Sequence, residues 1–189
     1  MRIVFVGPPG AGKGTQAQRL KDHLGVAHLS TGEMFREAND AGTELGKRAA
    51  SYYLHGKLVP DEVAVGIVSE RLGHADCVDG CLFDGFPRTA TQAEALDAML
   101  ADQGMPLDLV IALEVPEDVV MKRLASRGRP DDNAEAVQER FKQYYALTEP
   151  LADYYEEKGI LRRIDGTGAP EEVFERIRKI VDRARQPSS

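Results

Sequence analysis

Near the start of the chain stands Gly7-Pro8-Pro9-Gly10-Ala11-Gly12-Lys13-Gly14-Thr15, with glycines, one lysine and one hydroxyl in the spacing of a phosphate-binding loop. Glycines let backbone N–H groups approach phosphate oxygens closely. A following helix adds the positive end of its dipole. Lys13 supplies a point charge for the terminal phosphates. The residue after Lys13 is Gly14, so the hydroxyl comes one step late, at Thr15. The plain alternative is a glycine-rich turn before a helix. A dinucleotide loop is a second alternative, since Gly12, Gly14 and Ala17 fit G-x-G-x-x-A. That reading needs an acidic residue after the second strand. Ser30 and Thr31 stand there instead, and Lys13 would have no role.

Farther along, Leu82-Phe83-Asp84-Gly85-Phe86-Pro87-Arg88 ends an apolar run in a carboxylate and then a guanidinium. An Asp at a strand end beside a phosphate loop can hold Mg²⁺ through water. Asp before Gly is also an ordinary turn. Arg88 at the same rim can fork onto phosphate oxygens. Arg123 and Arg127 are four apart and share a helix face. Arg129 and Arg140 follow. The competing reading is a solvated basic face at a helix C-terminus, which the dipole favours. Lys122 has Asp118 four residues before it, which reads as a surface pair.

The histidines show no triad or ligand spacing, and Cys77 and Cys81 lack a second ligand pair, so zinc is not expected. No general base stands out. A phosphate monoester has its second pKa near ~6 and is largely ionised at neutral pH. A kinase acting on such an acceptor needs positioning and charge neutralisation more than proton removal. A guanine reader of the N-K-x-D type is absent, since neither Asn39 nor Asn133 precedes a lysine.

These groups need a scaffold that brings distant segments together, and the apolar pattern supplies one. Runs at 3–6, 26–29, 81–84, 109–115 and 160–164 read as strands. Helices are expected at 12–24, 31–39, 43–55, 60–72, 89–102, 116–127 and 170–185, with a long helical stretch to 158 that Pro150 must kink or divide. Alternation of this kind implies an α/β fold: a five-stranded parallel sheet with helices on both faces. Ligands in such folds sit at the carboxyl ends of the strands. Residues 30–59 hold helices but no strand and read as an inserted lobe. Residues 126–132 read as a short polar loop, and the tail at 186–189 as frayed.

The chain has 189 residues, 42% apolar and 29% charged, which fits one globular domain. Its net charge of −7 argues against a general nucleic-acid binder. A local cluster among its 16 arginines can still hold a small anion. No apolar run approaches the roughly 20 residues of a membrane span. Two cysteines with no secretory leader suggest a reduced, cytoplasmic setting. A monomer is the default, because no exposed apolar stripe stands out.

Taken together, the motifs resemble the adenylate kinase family of nucleoside monophosphate kinases. The resemblance rests on 7–15, on His28-Leu29-Ser30-Thr31-Gly32-Glu33-Met34-Phe35-Arg36, on 56–63, on 83–89 with Gln92, on 123–133 and on Arg140. It covers almost the whole chain. It implies reversible transfer of the terminal phosphoryl group of MgATP to AMP, giving two ADP. It also implies that Gly10, Ala11, Gly12, Lys13, Gly14 and Thr15 wrap the ATP phosphates. Arg123 and Arg127 reach ATP, one near the adenine and one near the phosphates, with backbone near Gly166 touching the base. Thr31, Arg36, Lys57, Leu58, Val59, Gly85, Phe86, Pro87, Arg88 and Gln92 line the AMP site. Arg129 and Arg140 reach across to phosphate. Residues 30–59 become the AMP-binding lobe and 126–132 a short lid, both closing over the substrates. The lid is of the short type, without zinc.

Local alternatives compete. Ser30 with Glu33, Thr89 with Gln92, and Asp132 with Glu135 all have capping-box spacing. Lys57 can be a plain surface lysine. A sibling kinase acting on UMP or CMP is the nearest rival, and Thr31 with Gln92 favours adenine. A nucleotide-dependent switch module is the rival from another class, although a switch needs no second phosphate site.

Overall fold

A computed structural model describes residues 1–127 and 133–186, Arg127 by its backbone alone. The expected lid at 128–132, Arg129, the Asp132 cap, the side chain of Arg127 and the last three residues of the tail lie outside the described residues.

Five strands form the sheet: β1 (Arg2–Val6), β2 (Ala27–Ser30), β3 (Cys81–Asp84), β4 (Leu109–Glu114) and β5 (Leu161–Asp165). They run in the order β2-β3-β1-β4-β5, and every pairing is parallel. β1 is central and wholly buried, as a near-continuous apolar run requires. Its side chains alternate between two cores. Ile3 and Phe5 face α1 (Lys13–Leu24) and α9 (Pro170–Arg185), where Leu20, Val173, Ile177 and Val181 are buried. Val4 and Val6 face the core shared with α4 (Asp61–Leu72), α5 (Ala90–Asp102) and α8 (Leu151–Glu157). The period of 2 in the strand thus meets two helical layers with a period near 3.6.

The expected lobe contains α2 (Thr31–Asp40) and α3 (Glu44–Tyr53). These two helices touch at Gly46, where a Cβ would lie 2.1 Å from the carbonyl carbon of Ala38. Met34, Phe35, Ala49 and Val59 join the α4–α5 core, so the pair is anchored on the main body. A third, small core of Val120, Leu124, Val137 and Phe141 joins α6 (Glu117–Arg127) to α7 (Ala134–Gln143).

Most element boundaries fall within two residues of expectation. The stretch to 158 is where the structure departs. α7 ends at Gln143, a one-turn π segment follows over Tyr144–Thr148, and α8 starts directly after Pro150. Pro150 divides the stretch because it has no N–H to continue the ladder. The wide turn before it brings Thr148 under the β3 rim, where its hydroxyl donates to the Arg88 carbonyl at 2.9 Å.

The expected caps also shift. Ser30 is the N-cap of α2 but makes no side-chain cap bond. Asn133 caps α7 by accepting from the Ala136 N–H at 2.9 Å. Thr89 does cap α5, but Gln92 reaches back to the Arg88 N–H at 2.8 Å, so the reciprocal half of the box falls one residue early.

Candidate active site

At the carboxyl ends of β1, β2, β3 and β5 lies a cavity of about 770 Å³. Every expected site residue whose side chain is described lines it, from Gly10 to Gly166. The distances tell more than the shared location.

On the phosphate-loop flank, β1 ends and the chain turns at Gly7, Gly10 and Gly12, the last two with φ of 83° and 97°. A Cβ at Gly10 would sit 2.9 Å from both Leu124 Cγ and the Val120 carbonyl, so the loop packs tightly on α6. α1 then begins at Lys13 with no acidic residue in its first turn and no side-chain cap, leaving its N-terminal dipole uncompensated. Lys13 Nζ donates to the carbonyls of Gly7 and Pro8 at 2.7 and 2.9 Å. These are neutral partners, and a phosphate is a stronger one. Arg123, from α6, donates to the carbonyls of Ala11 at 3.2 Å and Gly166 at 3.0 Å. One guanidinium therefore joins the phosphate loop to the loop after β5.

Gly14, the departure from the usual loop, has a local cause. A Cβ there would lie 3.1 Å from Asp84 Oδ2. The missing side chain leaves room for the β3 carboxylate to approach the first turn of α1. Burial works to raise the Asp84 pKa. The His28 ring and the charges of Lys13 and Arg88 outweigh it and hold the carboxyl below its ordinary range. His28 Nε2 stands 3.7 Å from Asp84 Oδ2, a polar approach rather than a full hydrogen bond, and has no hydrogen-bond partner.

On the other flank, Gly85 turns with φ of 81°, and a Cβ there would meet Thr31 Oγ1 at 2.7 Å and an Arg88 nitrogen at 3.0 Å. Thr31 is buried, and its hydroxyl donates to the Asp84 carbonyl at 3.3 Å. Arg88 Nε donates to the Gly85 carbonyl at 2.7 Å. Burial lowers the Arg88 pKa, Asp84 raises it and Arg140 lowers it again, for a net fall from its ordinary value. Arg88 and Arg140 thus line one cavity near enough for their charges to act on each other. Gln92 is buried and engaged at both ends of its amide: Oε1 accepts from Arg88 N–H, and Nε2 donates to Asp61 Oδ1 at 2.8 Å. Arg36 folds over Gly32, while Lys57 is exposed at the rim and Val59 is buried beneath it.

The cavity has lining residues the sequence reading did not single out. Phe35 and Tyr53 stack with centroids 6.3 Å apart, joining the two lobe helices at the cavity edge. Gln143 and Tyr144 line it beside Arg140. Their spacing of three and four from Arg140 was the available signal. His28 alternates outward on β2 between the buried Ala27 and Leu29, which also pointed to it. Lys122 pairs with Asp118 at 3.3 Å on the exposed surface, away from the cavity lining, as expected.

Among the described residues, no group of three or more His, Cys, Asp or Glu could hold a metal ion by itself. Asp84, ionised and close to the first turn of α1, suits a hydrated divalent ion shared with bound phosphates. Cys77 and Cys81 are free thiols, both buried. No helix among the described residues is long and apolar enough to cross a membrane.

Comparison with known proteins gives one answer. The family model described as adenylate kinase matches residues 5–160. The chain is 47% identical to an adenylate kinase of Nitrobacter winogradskyi, over 100% of this chain and 97% of that protein. It is 45% identical to one from Thermodesulfovibrio yellowstonii, over 97% of this chain and 100% of the relative. It is 44% identical to one from Archaeoglobus fulgidus, over 98% and 100%. The alignments to the last two run over 214 and 216 positions, so those relatives carry residues that this 189-residue chain lacks.

Proposed function

The chain belongs to the adenylate kinase family, and on that premise we propose how its cavity divides the work. Its reaction is the transfer of a phosphoryl group from ATP to AMP, giving two ADP. The phosphate-loop flank takes ATP: residues 10–15 wrap the phosphates, Lys13 turns from the Gly7 and Pro8 carbonyls to phosphate oxygens, and Arg123 with the backbone near Gly166 receives the base side. The other flank takes AMP: Thr31, Arg36, residues 57–59, 85–88 and Gln92 line its pocket, and residues 30–59 form its lobe. Arg88 and Arg140 stand between the two, where charge builds up during transfer. Preorganised cations at that point favour the transition state over either substrate. Arg127 and Arg129, with a short lid at 126–132, complete this set on the strength of the family resemblance.

Asp84 would hold, through water, the Mg²⁺ that arrives with ATP. The ion neutralises phosphate charge when bound. Asp84 contributes an ionised carboxylate beside α1, and Gly14 gives it the room. No acceptor-side base is needed, since the AMP phosphate is already ionised. What the flanks must do is align the two phosphates and keep water out. The protein acts as a cytoplasmic monomer, with both thiols reduced; its exposed large apolar residues Leu45, Leu54, Val78, Met121, Tyr145 and Leu147 come from several elements rather than one stripe.

The observation that carries this reading is geometric: Arg88 and Arg140 line the same cavity as the phosphate loop and the residues of the 30–59 lobe. The test is a coupled assay for ADP from MgATP with AMP, CMP, UMP, dTMP and GMP offered in parallel. AMP is expected to lead by about a hundredfold or more, as hydrogen-bonded sites discriminate. Preference for a pyrimidine would keep the phosphate machinery and overturn the assignment of Thr31 and Gln92.

A further inference from the structure

α1 buries Gln16, Ala17 and Leu20 against the rest of the protein, and Gln16 is the polar one. It is 3% exposed. A buried amide is costly unless both its ends are bonded. Here one end is. Gln16 Nε2 donates to the carbonyl of Pro170, 154 residues away, at 2.9 Å. Oε1 is buried with no hydrogen-bond partner. A methionine would fill similar space and leave no acceptor unpaired. Packing and stability therefore do not explain a glutamine at this place.

The location of its one bond does. Pro170 is the first residue of α9, and it directly follows the loop at 166–169. Gly166 and Gly168 of that loop line the cavity, together with Gln16, Pro170 and Val173. Arg123 holds the same loop from α6, through the Gly166 and Gly168 carbonyls. Arg176 holds it from α9, through the carbonyls of Asp165 and Thr167. Of these three ties, the Gln16 bond starts on the helix that opens with Lys13. With Arg123, which also bonds the Ala11 carbonyl, and the Arg19–Glu171 pair between α1 and α9, it sets the distance from the phosphate loop to the loop after β5.

We propose that Gln16 is a positioning residue for the donor nucleotide, setting the base-contacting loop at 166–169 in register with the phosphate loop so that one ATP can engage both. The inference rests on the donor assignment given above. Gln16 touches neither the reacting atoms nor the acceptor flank. Its loss acts on the base increment of ATP binding and leaves the phosphate increment alone.

The experiment compares ATP with inorganic tripolyphosphate, which has the phosphates and no base, by calorimetric titration of the full chain. Wild type is expected to bind ATP more tightly than tripolyphosphate. In Gln16→Met the ATP affinity should fall about threefold to tenfold, the range for one lost hydrogen bond. Tripolyphosphate affinity and the KM for AMP should hold, the KM for ATP should rise, and the melting temperature should stay level or increase. Gln16→Glu keeps the shape but sets a carboxylate against the Pro170 carbonyl, and should lose the base increment as well. It serves as the second variant should Met disturb folding. Equal loss for ATP and tripolyphosphate would overturn the proposal, because Gln16 would then act on the phosphate loop. Unchanged ATP affinity would overturn it too, with the donor reading intact. A wild type that binds both ligands equally would remove the donor-base reading itself, and this inference with it.

Discussion

On the phosphate-loop flank, the key groups come from one stretch, residues 10–15, and the cations rest on backbone carbonyls: Lys13 on Gly7 and Pro8, Arg123 on Ala11 and Gly166. On the acceptor flank, Arg88 also rests on a backbone carbonyl, that of Gly85, but the groups come from separate elements tied together by a network of side-chain bonds. Asp61 of α4 accepts from both Gln92 and Thr89, Gln92 accepts from the Arg88 N–H, and Thr148 of the π segment donates to the Arg88 carbonyl. The first flank is a local motif with distant props. The second exists only once the chain has folded. The difference teaches where each is fragile: the first to a Cβ or a lost charge, the second to the loss of any one partner in a shared network.

The largest effects should come where the flanks meet. Lys13→Ala, Arg88→Ala and Arg140→Ala should each keep the fold and lose about a hundredfold or more in kcat. For Arg88→Ala, the melting temperature should not fall in step with activity, because burial and Arg140 already oppose that charge. Thermal unfolding beside steady-state kinetics checks both halves. A well-folded Arg88 variant with near-normal turnover would remove Arg88 from the site and blur the division between the flanks.

Gln92→Ala sharpens the comparison from the acceptor side. It should raise the KM for AMP about tenfold, a loss of about 1.4 kcal/mol, with the KM for ATP held. Gly14→Ala probes the phosphate-loop flank by space alone. The added Cβ at 3.1 Å requires the Asp84 carboxylate to shift by a few tenths of an ångström. The Mg²⁺ concentration needed for half-maximal rate should rise, and a Mg²⁺ titration of the rate reads it. Lys122→Ala marks the floor. Its exposed pair with Asp118 is worth about 0–1 kcal/mol, and activity should not change.

The same division decides how much the sequence revealed. Strand β1, the glycine turn and Lys13 are contiguous, so their spacing displayed both fold and chemistry. Asp84 and Arg88 were legible because a strand end is a known place for ligands. His28, Gln143, Tyr144 and Thr148 were given no site role, because the spacing and alternation signals at the first three are weak and tertiary placement is what brings all four to the cavity. The π segment at Tyr144–Thr148 illustrates this: Pro150 announced a break, but not the wide turn before it, which sets the Thr148 hydroxyl on the Arg88 carbonyl. Capping spacing marks the right helix start at α2, since Ser30 is its N-cap, but the side-chain bond it suggests does not form there. The presence of two nucleotide sites came from the family resemblance, because no single run of residues spells out the acceptor flank.

The most direct test of two separate flanks is a titration of AMP alone, without ATP, into wild type, Lys13→Ala and Gln92→Ala. The account predicts saturable AMP binding to wild type, nearly the same affinity in Lys13→Ala, and about tenfold weaker binding in Gln92→Ala. AMP binding lost in Lys13→Ala and kept in Gln92→Ala would contradict it, placing both nucleotides on the phosphate loop.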